Sequence, residues 1–251
     1  MRRKIIAGNW KMNLTASEAQ DLTRYIATYV QDRTDPLVII FPPYPYFSPV
    51  NYEINMASVE LGAQNVHSEE NGAFTGEVSQ SMLIALGCTY VIIGHSERRA
   101  IFGESDEFIN AKLKRVTGGS LTPVLCIGET LEEREQNITN DRIKQQIEDD
   151  LDEIEISNGH KIVIAYEPVW AIGTGKNATP RQAEDVHAFI RGLLSDKYGS
   201  EIADDISILY GGSVKPDNAV ELLSNPNIDG ALVGGASLTP DLFIPIIQAA
   251  E

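Results

Sequence analysis

The sequence predicts a closed parallel (β/α)8 barrel. Three observations predict it. Across 251 residues, eight short β-branched or apolar segments alternate with amphipathic ones, with no helix-rich or strand-rich half. That length suits one such barrel without a linker, and no shift in composition marks a boundary, so residues 1–251 are expected to form a single domain. The rival, a doubly wound open sheet, usually carries a glycine fingerprint after its first strand, and Gly8-Asn9-Trp10-Lys11 is not GxGxxG.

Each unit reads in turn. Ile5-Ile6-Ala7 is the first strand, with a helix from about Ser17 to Val30. Leu37 to Phe41 is the second, and Pro42-Pro43 opens a Pro-rich connection expected to be poor in helix. Val59 to Ala63 is the third, followed by a long polar loop to Glu77 and a short helix to Leu86. Tyr90 to Gly94 is the fourth, with a helix from about Asp106 to Thr117. Pro123 to Ile127 is the fifth, after which Thr130-Leu131-Glu132-Glu133 opens a long acidic helix with a capping box. Lys161 to Tyr166 is the sixth, and Thr179-Pro180-Arg181-Gln182 supplies an N-cap, a first-turn proline and a third-position Gln for a helix to Tyr198. Ile206 to Tyr210 and Lys215 to Leu223 form the seventh unit; Gly230 to Val233 and Thr239 to Ala250 form the eighth.

Composition narrows the function. Hydrophobic residues make up 43% and charged residues 22%, ordinary values for a soluble globular chain. No apolar run approaches the roughly 20 residues that span a bilayer, and the apolar stretch after Met1-Arg2-Arg3-Lys4 stops at Asn9, so no signal peptide and a cytoplasmic location are expected. The net charge of −16 argues against nucleic acid and anionic membranes as partners. Were the substrate an anion, its attraction must come from local cations and backbone amides. Cys88 and Cys126 sit among apolar neighbours and read as reduced small hydrophobes.

In such a barrel, function belongs to the carboxyl ends of the strands. Strand one ends Gly8-Asn9-Trp10-Lys11-Met12-Asn13, offering an amide and either a site cation or a solvated lysine. Strand four ends Gly94-His95-Ser96-Glu97-Arg98-Arg99, and His95, one of four histidines, reads as a core or a catalytic imidazole. Strand six ends in Glu167, which Pro168 holds extended. Val169-Trp170-Ala171-Ile172 and Gly173-Thr174-Gly175-Lys176 then have the composition of a lid, apolar residues that cover and glycines that hinge, with Trp170 expected to face solvent. Tyr210-Gly211-Gly212-Ser213 and Val233-Gly234-Gly235-Ala236 place paired glycines after strands seven and eight, where backbone N–H groups approach an oxyanion closely. Leu232 to Leu238 reads as the approach to a short extra helix at an anion site.

These runs, with Asn71-Gly72-Ala73-Phe74-Thr75-Gly76-Glu77 and Cys126-Ile127-Gly128-Glu129-Thr130, resemble the triosephosphate isomerase family from about Lys4 to Ala250, in order. The resemblance implies a TIM barrel that interconverts dihydroxyacetone phosphate and D-glyceraldehyde 3-phosphate, with no cofactor and no metal. It implies Glu167 as base, its pKa raised as water is expelled, and His95 as electrophile. Lys11 and Asn9 would support the developing enediolate, and the Gly173, Ser213, Gly234 and Gly235 backbone groups would hold the phosphate. Glu97 is a nearby acid whose preferred reading is a structural partner for Lys11. The 65–77 loop is too long for an ordinary βα connection; the resemblance implies that it plugs into a second subunit of a homodimer, with Thr75 near that subunit's site. Glu104 and Arg98 are expected to pair. Two rivals stay open: a phosphate-binding aldolase, which would need a desolvated lysine on an inner strand, and a non-catalytic phosphosugar-binding protein, which has no need of a lidded glutamate.

Overall fold

The computed structural model describes residues 2–54, 57–171 and 178–251. Its strands are β1 (Ile5–Asn9), β2 (Leu37–Phe41), β3 (Val59–Ala63), β4 (Tyr90–Ile93), β5 (Thr122–Ile127), β6 (Val163–Tyr166), β7 (Ser207–Tyr210) and β8 (Gly230–Val233). Each pairs in parallel with its neighbours in sequence, and β1 also pairs with β8, which closes the barrel. Closure leaves no strand edge unpaired and buries both faces of the sheet, so the strands read as continuous apolar runs instead of alternating ones.

The two faces separate by residue parity. Ile5, Ala7, Leu37, Ile39, Phe41, Ile92, Val124, Val163, Ala165, Leu209 and Leu232 form one apolar cluster, the barrel interior. Ile6, Val38, Ile40, Ile93, Leu125, Ile164, Ile208 and Val233 belong to a second cluster shared with the surrounding helices. Side chains alternate across a strand, so extending the interior parity by one step aims Asn9, Glu167, Gly211 and Gly234 at the barrel axis. His95 breaks that parity, since Ile92 is interior. Gly94, in the left-handed region at φ 74°, resets the chain and turns His95 inward.

Several boundaries differ from the sequence reading, each for a physical reason. The Pro-rich connection after β2 contains a 3-10 turn, Tyr44–Tyr46, and a helix, Phe47–Ile54. Pro45 and Pro49 sit in first turns, where the missing N–H costs nothing, and Phe47, Val50 and Ile54 bury one face. A helix, Ser96–Phe102, begins directly after His95, whose own ring caps it. The long acidic helix is two helices, Leu131–Glu135 and Thr139–Asp150, because Asn137 takes a left-handed φ of 59° between them. The capping boxes at Thr130 and Thr179 are both present. β6 starts later than expected, after a 3-10 turn at Gly159–Lys161 capped by Asn158, and a further short helix, Ser200–Ala203, follows Tyr198. Cys88 and Cys126 are buried free thiols. Among the described residues, no helix is long and apolar enough to cross a membrane.

His187, on the helix Pro180–Tyr198, is fully buried; Nδ1 lies 3.2 Å from the Asn227 carbonyl and the ring packs against Tyr166 and Tyr210. Burial pushes its pKa from 6.5 down to about 3. Above the unfolded value the ring is neutral in both states and contributes nothing to pH dependence. As pH falls below it only the unfolded chain takes the proton, so stability drops by about 1.4 kcal/mol per pH unit until the folded ring titrates. Urea melts of His187→Gln between about pH 6 and pH 4 should show an acid slope smaller by about one proton than the parent's. Identical slopes would remove His187 as a source of acid sensitivity.

Candidate active site

The strand ends converge on a cavity of about 590 Å3 whose lining includes Asn9, Lys11, His95, Glu167, Ser213, Gly234 and Gly235. Asn9 closes β1, and its Oδ1 accepts a 3.0 Å hydrogen bond from the Lys11 backbone N–H. Lys11 itself sits in the left-handed region at φ 52°, unusual for a side-chain-bearing residue. Gln64, just past β3, holds that conformation by donating from one amide nitrogen to the carbonyls of Lys11 and Phe41, each at 2.8 Å. The Lys11 ammonium lies 2.5 Å from Glu97 Oε1. Glu97 does not line the main cavity. It faces an adjoining cleft of about 320 Å3 that shares Asn9, Lys11 and His95.

Glu167 is 2% exposed, and both of its oxygens are occupied. Oε2 accepts from the Ser96 backbone N–H at 2.9 Å, and Oε1 lies 3.1 Å from His95 Nε2. Burial alone raises a carboxyl pKa, as the sequence argument supposes. Here the adjacent imidazole and the Ser96 amide outweigh it, and Glu167 is held below the ordinary carboxylate value. For His95, burial works against the charged form while the Glu167 carboxylate pulls the pKa upward, with a net rise. The Glu97 backbone N–H, 3.2 Å from Nδ1, opposes that rise, since it bonds only to an unprotonated nitrogen. The geometry therefore fits a neutral ring with its proton on Nε2, donated to Glu167.

Glycines let the backbone close around this carboxylate. A Cβ on Gly211 would stand 2.8 Å from Glu167 Cγ, and one on Gly128 would stand 1.7 Å from the Glu167 carbonyl oxygen. Next to Gly234, the Lys11 Cε would lie 3.5 Å from such an atom, so the ammonium reaches over the second glycine loop. The chain then turns through a 3-10 segment, Gly235–Leu238, the short extra helix of the sequence reading, tied back by Ser237 Oγ donating to the Gly234 carbonyl at 2.7 Å. Ser96, Gly128 and Gln64 have no role in the sequence reading, and Gly211 is read there only as part of an anion-binding pair. Ser96 acts through its backbone, the two glycines act here by lacking a side chain, and Gln64 is remote in sequence.

Trp170 is not the solvent-facing indole that the composition of its loop suggests. It is half-buried, its Nε1 donates to Glu129 Oε1 at 2.9 Å, and the Arg134 guanidinium lies 5.2 Å from its ring. Glu129 is also held by the Tyr166 hydroxyl, at 3.0 and 3.1 Å from its two oxygens. Burial raises the Glu129 pKa despite these donors. Gly173, with the rest of the 172–177 segment, lies outside the described residues.

The triosephosphate isomerase family model matches residues 4–250. The chain belongs to the triosephosphate isomerase family. It is 53% identical over 249 residues to the triosephosphate isomerase of Rhodopirellula baltica, covering 99% of this chain and 98% of that one. The corresponding proteins of Chlorobium phaeobacteroides and Carboxydothermus hydrogenoformans are 51% and 50% identical, each covering all of both chains. Within this family chain, Gly128→Ala should drive the Glu167 backbone aside and lower kcat roughly 100-fold, the scale of about 1 Å of misplacement, with the far-UV spectrum retained. Parent-like kcat would mean that the β5 end does not set the carboxylate's position.

Proposed function

We propose that this chain interconverts dihydroxyacetone phosphate and D-glyceraldehyde 3-phosphate by proton transfer through an enediolate. Family membership supports the activity. The observation that carries the residue assignment is the buried Glu167 carboxylate, 3.1 Å from His95 Nε2 in a cavity shared with Lys11 and the twin-glycine loops. On this reading Glu167 removes a proton from C1 of dihydroxyacetone phosphate. The C–H electrons form the C1–C2 double bond, and the C2 carbonyl oxygen takes up the negative charge. Donation from the His95 Nε2–H and the Lys11 ammonium stabilises that oxygen, with Asn9 beside it. The C1 hydroxyl proton passes to the C2 oxygen, with His95 Nε2 giving its proton to O2 and taking one from O1, and Glu167 returns its proton to C2 as the C1 oxygen becomes the carbonyl, which completes the isomerisation without a redox cofactor. A glutamate base with a neutral imidazole is the pairing already known for triosephosphate isomerase. The hydrogen bonds from Ser96 and His95 park the carboxylate in this conformation, so substrate must displace them before the proton can move.

The phosphate is read as bound by the backbone amides after β7 and β8, around Ser213, Gly234 and Gly235, with Gly173 as a further donor. Glu97 is read as the structural partner of Lys11. A Schiff-base aldolase is disfavoured, because neither lysine of the cavity is a desolvated lysine on an inner strand: Lys11 is a loop residue bonded to the Glu97 carboxylate, and Lys215 is exposed. Residues 1–251 are read as one domain, with a cytoplasmic location. A coupled assay for glyceraldehyde 3-phosphate production tests the activity. Within it, Glu167→Asp should lower kcat roughly 100-fold while KM changes by less than about threefold; parent-like turnover would exclude Glu167 as the base.

The homodimer is read through the 65–77 loop. Its root is rigid: the buried Lys112 ammonium bonds Asn65 Oδ1 at 2.8 Å and Glu104 Oε1 at 2.6 Å, and Arg98 joins Glu104 at 2.7 Å. Its tip stacks Phe74 on His67, with ring centres 4.2 Å apart. Met12, Ile101 and Phe102 are 95%, 73% and 67% exposed, an apolar surface around the 320 Å3 cleft that supports burial against a second copy. Sedimentation should give twice the chain mass, and Phe102→Glu should shift the protein toward monomer. A parent chain sedimenting as a monomer at micromolar concentration would defeat this reading.

A further inference from the structure

A dianionic substrate approaching this protein meets a net charge of −16. Among the described residues, Lys11 and Lys215 are the two lysines lining the 590 Å3 cavity, which Glu167 and Asp217 also line. The Lys11 charge is offset at a distance, because Glu97 Oε1 sits 2.5 Å from its ammonium. Among the described residues, Lys215 has no carboxylate partner, although all of the chain's acidic residues are described.

The backbone position of Lys215 is not explained by helix stability. It is the N-cap of the helix Pro216–Leu223 and makes no side-chain capping bond. The partial positive charge at a helix N-terminus disfavours a cation there. The capping falls to Asn218, whose Oδ1 accepts from the Lys215 N–H at 2.8 Å and whose Nδ2 donates to the Ser213 carbonyl at 3.1 Å. Asn218 thus fixes the loop that carries Ser213 and leaves the Lys215 side chain exposed at the cavity.

We propose that Lys215 is the steering cation that draws the substrate's phosphate toward the twin-glycine loops, offsetting Asp217 beside it. The proposal rests on the phosphosugar reading of the same cavity. A charge of this kind acts within a Debye length, about 10 Å at 0.1 M ionic strength, and accelerates encounter without altering the chemical step. It therefore raises kcat/KM and leaves kcat alone.

Lys215→Gln and Lys215→Arg, measured over about 10 to 500 mM ionic strength, test it. At the low end, Lys215→Gln should lose roughly three- to fivefold in kcat/KM with kcat unchanged, and the gap should close to less than about twofold at the high end. Lys215→Arg should follow the parent throughout. Parallel salt dependences for parent and Lys215→Gln, or a kcat that falls with kcat/KM, would overturn the proposal. Calorimetric binding of 2-phosphoglycolate separates it from the isomerase reading. A parent that binds this anion without turning over the triose defeats the reading of the reaction alone. An equal Kd for parent and Lys215→Gln at low ionic strength defeats the role of Lys215 alone.

Discussion

The site depends on how a carboxylate is kept in place where a closed barrel has shut out water. An ionised glutamate with 2% exposure is stable only if donors replace its hydration. Glu167 has two, the Ser96 N–H at 2.9 Å and the His95 Nε2 at 3.1 Å, both supplied by the turn that follows β4. That turn needs the left-handed Gly94 to bring His95 inward, and the helix Ser96–Phe102 needs the His95 ring as its cap. One short segment thus orients the imidazole, starts a helix and satisfies a buried charge on a strand 71 residues away.

The same economy governs the walls. Two positions around Glu167 tolerate no side chain, Gly128 against its carbonyl and Gly211 against its Cγ. Their strands flank β6 in the barrel, β5 on one side and β7 on the other. The close approach is therefore a consequence of parallel neighbours ending at the same level. On the far side of the mouth, Gln64 clamps the Lys11 and Phe41 carbonyls and so ties the ends of β1, β2 and β3 together. Backbone geometry, more than side-chain variety, gives this site its shape.

Electrostatics is local against an unfavourable global field. The chain is strongly acidic, yet the cavity gathers two lysines and the two glycine loops after β7 and β8. Glu97 neutralises one of those lysines and in doing so holds it still. A fixed ammonium that needs no reorganisation during reaction is worth more to a developing oxyanion than a mobile one.

Much of this was legible in the sequence, and the limits have physical causes. The alternation of buried strands with capped helices gave the barrel, because period and capping are local properties of the chain. Their positions where strands one and six run out placed Asn9 and Glu167 at the mouth for the same reason. Prolines at 45 and 49 masked a helix, since their tolerance depends on falling in first turns, and Asn137 broke a helix that composition favoured. Trp170 read as exposed because its partner, Glu129, lies on another unit. By itself, then, the sequence determined which residues can reach the carboxyl ends of the strands. Only the tertiary structure decided that Glu167 is held low by Ser96 and His95 and that Gln64 steadies Lys11, because those contacts exist only once β1 pairs with β8 and the ring closes.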